Sequence, residues 1–266
     1  MSRIRNHLIA SIALLGAVTA SGAASAQSAI IALVGDNNIA LINPSTMKVM
    51  SSRPAKGVKK LHGFDVRPAD GMLYGVTDTG WVVTIDPKTG AVTQKAELST
   101  KPEAGTTVSV DFNPVADKMR VITTSGQNLR VNVDDGKVTV DGNLKFADTD
   151  MHKDEKPNIV AGAYTNSFKG TKETALYDID GTIGALFRQA PPNDGVLSAV
   201  GKLGIKVSGP VAFNIVSDGK GKNTAWLVND GTLYTVDLAS GVAKAVGKLP
   251  GGGITDIAWW NAAEKM

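Results

Sequence analysis

Short runs in which apolar and polar residues alternate recur along the chain, and each ends on a turn built from Gly, Asn, Asp or Pro. GFDVRP (63–68), SVDFNP (109–114), AGAYTN (161–166), PVAFNI (210–215) and TDIAWW (255–260) are five such runs. Aligned on Val66, Phe112, Tyr164, Phe213 and Trp259, they are spaced 46, 52, 49 and 46 positions apart. Each of the first four is followed by the same series. A second run comes next: MLYGV (72–76), MRVIT (119–123), TALYDI (174–179) and TAWLV (224–228). A third follows a short polar turn: WVVTID (81–86), LRVNVD (129–134), IGALFR (183–188) and LYTVD (233–237). A fourth closes the unit: AVTQKAEL (91–98), KVTVDG (137–142), VLSAVGKL (196–203) and VAKAVGKL (242–249).

These runs are rich in Val, Ile, Leu, Thr and Tyr, which suit a pleated, half-buried surface. A period of two puts alternate side chains on opposite faces of a sheet, and no long segment after residue 26 shows the 3.6-residue period of a helix. Four antiparallel strands in about 48 residues make the blade of a β-propeller. The ends complement each other. The chain finishes on a lone first strand, ITDIAWW, and begins with three strands and no first strand: AIIALVG (29–35), NIALIN (38–43) and KVMSS (48–52). The sequence therefore predicts an all-β, five-bladed propeller with four antiparallel strands per blade. It is closed by a composite blade of one C-terminal and three N-terminal strands, which leaves no open edge in the ring. A sandwich would not explain the regular period, and a sixth blade would need a unit the sequence lacks.

The turns after the third strands share a form. DPKTG (86–90) and DLASG (237–241) begin on Asp and close on Gly, and NPSTM (43–47) is a further copy with Asn43 in the place of Asp. An Asx side chain bonds the backbone two residues on, and Gly takes the positive φ at the end. Asp86 and Asp237 are therefore architectural.

Composition changes the picture at three points. Arg3 and Arg5, the apolar run Leu8 to Ala20 and Ala24-Ser25-Ala26 have the form of a signal peptide over residues 1–26, leaving residues 27–266 as a single propeller domain. The apolar run is too short to span a bilayer, so no stable membrane insertion is expected after its removal, and the protein is expected to be exported to the periplasm or the exterior. Without Arg3 and Arg5 the formal charge of +3 falls to about +1. No basic stripe then argues for nucleic acid. The absence of cysteine excludes disulfides, thiolate nucleophiles and Cys-ligated zinc.

Three segments resemble a bacterial family of exported proteins built on domain of unknown function 4394. They are VDFNPVADKMRVITTSGQNLRVNVDDG (110–136), PNIVAGAYTNSF (157–168) and LYDIDGTIGALFRQAPPNDGVLSAVGKLG (176–204). The resemblance implies a secreted, propeller-like protein. It implies no reaction, so no catalytic residue is carried over from it.

Recognisable chemistry is sparse. No phosphate-binding loop, no nucleophile elbow and no H-E-x-x-H occurs. The acidic stretch DTDMHKDEKPN (148–158) offers Asp148, Asp150 and Asp154 as oxygen ligands for Ca²⁺, although Lys153 stands where such a loop needs Gly. As a plain solvated loop it needs no metal. First strands line the axis of a propeller, which makes His62, Asp65, Asp111, Asn166, Asn214 and Asp256 candidates for ligand binding. The face with the inter-unit connections and the second-to-third-strand turns is the expected place for a site. Asp65 and Asp111 occupy equivalent positions and serve equally well to hold neighbouring blades in register. Trp259 and Trp260 are candidates to stack on a sugar, with Trp259 also placed to wedge between blades.

Two functions fit this pattern. The first is an exported, non-catalytic binding or scaffold propeller that takes a small polar ligand or an envelope protein and is a monomer. The second is a hydrolase or lyase at the channel mouth, with or without bound Ca²⁺, with Asp65, Asp111 and Asp256 as ligands or as general acid and base. That second function requires two carboxylates facing one cavity.

Overall fold

The computed structural model describes residues 28–261. The segment read as a signal peptide lies outside them. Three strands open the described chain: β1 (Ser28–Val34), β2 (Asn38–Ile42) and β3 (Val49–Pro54). Blade I follows as β4 (Leu61–Val66), β5 (Leu73–Thr77), β6 (Trp81–Ile85) and β7 (Val92–Glu97). Blade II contains β8 (Val108–Asn113), β9 (Lys118–Thr123), β10 (Asn128–Val131) and β11 (Val138–Val140). A two-residue strand, β12 (Lys145–Phe146), precedes blade III, which has β13 (Ile159–Tyr164), β14 (Leu176–Asp180), β15 (Ala185–Gln189) and β16 (Val196–Lys202). Blade IV has β17 (Val211–Ser217), β18 (Asn223–Asn229), β19 (Thr232–Val236) and β20 (Ala243–Lys248), and β21 (Ile254–Asn261) ends the series.

The five sheets form a five-bladed propeller. In the composite blade the order is β21-β1-β2-β3, so the C-terminal strand is innermost, as the complementary ends require. Its register sets Ile31 opposite Ala258 and Leu33 opposite Asp256. The inner strands β21, β4, β8, β13 and β17 neighbour one another in a closed ring around the axis. Five apolar clusters fill the five seams between blades. One packs Phe64 of blade I against Ile31 and Trp260 of the composite blade, and another packs Phe187 of blade III against Ile122 of blade II. Burial between blades, rather than within any one sheet, is thus the main source of hydrophobic stabilisation.

The outer ends of the seams are joined by backbone. The third-strand turn of each blade leans on the last strand of the blade before it. Gly136 has φ +75°, and a Cβ there would overlap the carbonyl oxygen of Glu97; Gly241 stands in the same relation to Gly201. Ser99 N donates to Gly136 O at 3.0 Å, joining blade I to blade II. Only glycine permits both the left-handed backbone and this approach. The composite blade is the exception. Met47, with φ 55°, replaces the glycine and packs against the cluster between blade IV and the composite blade.

Two details depart from the sequence pattern. Blade III has five strands, because β12 pairs in parallel with β16 and covers its outer edge. Phe146 secures this strap, with its ring 4.9 Å from that of Phe187. The second concerns bulk: Val66 keeps the register place of Phe112 but is only half-buried, and Phe64, two positions earlier, fills the buried inner space of blade I.

Candidate functional site

The axial carboxylates connect blades. Asp256 Oδ2 accepts the N–H of Phe64 at 2.8 Å, Asp65 Oδ2 accepts that of Phe112 at 2.9 Å, and Asp111 Oδ1 accepts that of Tyr164 at 2.9 Å. Each bond runs from one inner strand to the next. Gly63 lacks a Cβ where one would come within 2.7 Å of Asp256 Oδ2, so the carboxylate can reach across. Asp256 sits two positions earlier than Asp65 in the repeat, and its partner is displaced by the same two. The pleat therefore keeps both carboxylates on one face.

These groups sit in a low-dielectric interior. Burial raises the pKa of Asp65 to about 7 against the pull of bonds from Phe112, Val66 and Asn214. Burial, reinforced by the Asp65 charge, pushes Asp111 well above the usual carboxylate range, and burial does the same to Asp256. Asn214, from the far side of the ring, donates through Nδ2 to Asp65 Oδ1 at 3.3 Å.

A cavity of about 630 Å³ opens at one end of the axis. Its floor includes Asp65 and Asn214, 5% and 8% exposed. Its walls come from the first-to-second-strand turns: Arg67 to Gly71 in blade I, Ser167 to Lys169 in blade III, and Asp218 and Gly219 in blade IV. Trp259 and Trp260 at the end of β21 complete the walls. This is the face opposite the one expected from the sequence.

The predicted residues therefore separate. Asp65 and Asn214 meet at the cavity floor, while Asp111 and Asp256 lie in the ring without lining the cavity. His62 also lies outside it, and burial, aided by Lys60, lowers its pKa. Asn166 exchanges two 2.8 Å bonds with Asn223, one through its backbone N–H and one through its side-chain oxygen. It holds the turn of blade III to blade IV. Trp259 is half-buried, packs into the seam between blade IV and the composite blade, and stacks on Trp226 with centroids 5.4 Å apart.

The acidic loop does not assemble the predicted ligand set. Asp150 places Oδ1 on His152 N at 2.9 Å and Oδ2 on Ala199 N at 2.6 Å, so it ties the loop to β16. Asp148 and Asp154 are exposed. Among the described residues no three His, Cys, Asp or Glu side chains are grouped to hold a metal ion.

The sequence reading missed two polar groups. Arg67 is gripped by Asp70, Asp117 and Asp134, its shortest contact being 2.6 Å to Asp117. Arg120, only 2% exposed, lies in the seam between blades II and III. It bonds Asn128 and Asp141 at 2.7 Å, Asn193 at 2.8 Å and Tyr164 at 3.2 Å. An arginine inside the apolar run MRVIT was the available signal. Asp178 lies in the same seam, fully buried, with neither oxygen hydrogen-bonded. Burial raises its pKa to about 8 despite the Arg120 charge.

Comparison with known proteins agrees with this architecture. The chain belongs to the family described as domain of unknown function (DUF4394), which it matches over residues 38–258. No curated protein matches it by sequence. A calcium-binding protein, regucalcin, from Agrobacterium tumefaciens superposes with a TM-score of 0.52 at 15% identity, over 88% of this chain and 74% of that one. A protein of unknown function from Bacteroides thetaiotaomicron gives 0.51 at 16% identity, over 89% and 65%. An auxiliary nutrient binding protein from the same organism gives 0.47 at 14%, over 74% and 51%. At these identities the likeness is one of fold. Among the described residues no helix is long and apolar enough to cross a membrane.

Proposed function

We propose that the protein is an exported, non-catalytic binding module whose axial cavity holds a small polar ligand. The observation that carries this reading is the pair Asp65 and Asn214, polar side chains more than nine-tenths buried yet facing an open cavity of about 630 Å³. A concave site with a few convergent polar groups on a rigid frame is the usual form of a ligand pocket. The inner strands fix both side chains, so little ordering is required when a ligand enters.

The acid–base alternative has less support. Asp65, Asp111 and Asp256 each hold a backbone N–H of the next blade, and only Asp65 of the three lines the cavity. Export rests on the basic, apolar and Ala-Ser-Ala segments of residues 1–26.

The test is a thermal-shift screen of the purified protein against a panel of small polar metabolites, repeated with Asn214→Leu. A compound that raises Tm in the native protein and not in the variant is expected. A panel in which no compound raises Tm overturns the reading. N-terminal sequencing of protein recovered from outside the cytoplasm is expected to begin at Gln27.

A further inference from the structure

The cavity floor presents acceptors. Asn214 Nδ2 is spent on Asp65 Oδ1, and Asp65 Oδ2 on the Phe112 N–H. Asn214 Oδ1 takes no hydrogen bond among the described residues, and it is not among the side-chain atoms sealed from solvent without a partner. It is left open to the cavity. The amide orientation follows from Asp65, because an ionised carboxylate can only accept.

The surrounding charge has one sign at the floor. Asp65, Asp70 and Asp218 line the cavity against Arg67 and Lys169. Arg67 is already shared by Asp70, Asp117 and Asp134, and Lys169 stands exposed on the rim. Asp111 from β8 and Asp256 from β21 stand beside Asp65, held toward their neutral forms by burial, and no lysine or arginine bonds any of these three. A ligand that seats here must supply donors, and positive charge favours it. Trp259 and Phe168 give its carbon skeleton an aromatic wall.

We propose that the cavity takes a small primary amine, its ammonium seated between Asp65 and the Asn214 carbonyl oxygen. This rests on the reading of the cavity as a ligand site. Protonation of Asp65 competes with the ammonium, because a protonated Asp65 becomes a donor to Asn214 and the amide turns its own N–H groups to the ligand. Amine affinity therefore rises as pH increases through about 7.

The experiment is calorimetric titration of the purified protein with 1,4-diaminobutane, 1,4-butanediol and succinate at low salt. The diamine is expected to bind at least about tenfold tighter than the diol, the worth of a hydrogen bond to a charged group, with no binding of succinate. Asp65→Asn is expected to remove that advantage. Because Asp65 also holds blade II, the exposed Lys169→Glu serves as the second variant and is expected to tighten diamine binding a few-fold. Binding of the diamine that is equal at about pH 5.5 and about pH 8 counts against the assignment. Equal binding of diol and diamine overturns the amine class while leaving the cavity a binding site, as does a panel hit that is not an amine. Silence of all three probes together with an empty panel overturns both.

Discussion

Asp256 and Phe64 lie 192 positions apart in sequence, and the carboxylate of one accepts the backbone N–H of the other at 2.8 Å inside the ring. The bond joins the last strand to blade I. Asp256→Ala would leave that buried N–H without a partner, so a loss of about 1–3 kcal/mol is expected in urea unfolding. Asp256→Asn keeps an acceptor and is expected to cost less.

Stability should fall as pH rises. Asp65 and Asp178 have folded pKa values of about 7 and about 8, above the unfolded 3.8. A raised carboxyl pKa means the fold prefers the protonated form. Its stabilisation is fully present below about pH 4 and is lost as pH climbs through the folded values. Tm measured between about pH 5 and about pH 9 is expected to decline, and Asp178→Asn is expected to flatten the upper part of the curve. A Tm that rises over this range in the native protein would contradict the assignment.

Arg120, buried in the seam between blades II and III, is held by four side-chain acceptors. Arg120→Met would take the shared donor from Asn128, Asn193 and Tyr164, while Asp141 keeps its two bonds from Arg130. A loss of about 1–3 kcal/mol is expected, the cost of leaving buried polar groups without their partner. Arg120→Lys is expected to recover little, because an ammonium cannot span the same set of acceptors.

The seam glycines can be separated from ordinary turn glycines. Gly136→Ala meets both a left-handed backbone and the Glu97 carbonyl, whereas Gly105→Ala, at φ +77°, meets open space. The Gly105 variant is expected to lose about 1 kcal/mol from backbone strain alone. The Gly136 variant should lose clearly more, and equal Tm values for the two would show that the seam contact carries no weight.

Much of this fold was legible in the sequence because a propeller repeats its pattern. The period-two runs and the complementary ends point to the composite blade, and Asp237 accepts from Ala239 N and Ser240 N as an Asx turn should. The site was less legible. The contrast between Asn166 and Asn214 explains why. Asn214 follows Phe213 inside β17, and Asn166 lies two positions after Tyr164, beyond the end of β13; Asn166 adopts a positive φ and bonds Asn223, while Asn214 faces the axis and bonds Asp65. A local string does not encode that difference. Nor does it show that Phe146 would land on Phe187 and turn an acidic loop into a strap. Arg120 depends on partners up to 73 positions away.

The innermost strand of the composite blade comes last in chain order among the described strands. Until Ile254–Asn261 is available, β1 has no inner neighbour and Phe64 lacks the acceptor that Asp256 brings. Ring closure therefore waits on β21, since the earlier blades can stack in chain order but the circle cannot shut without that strand.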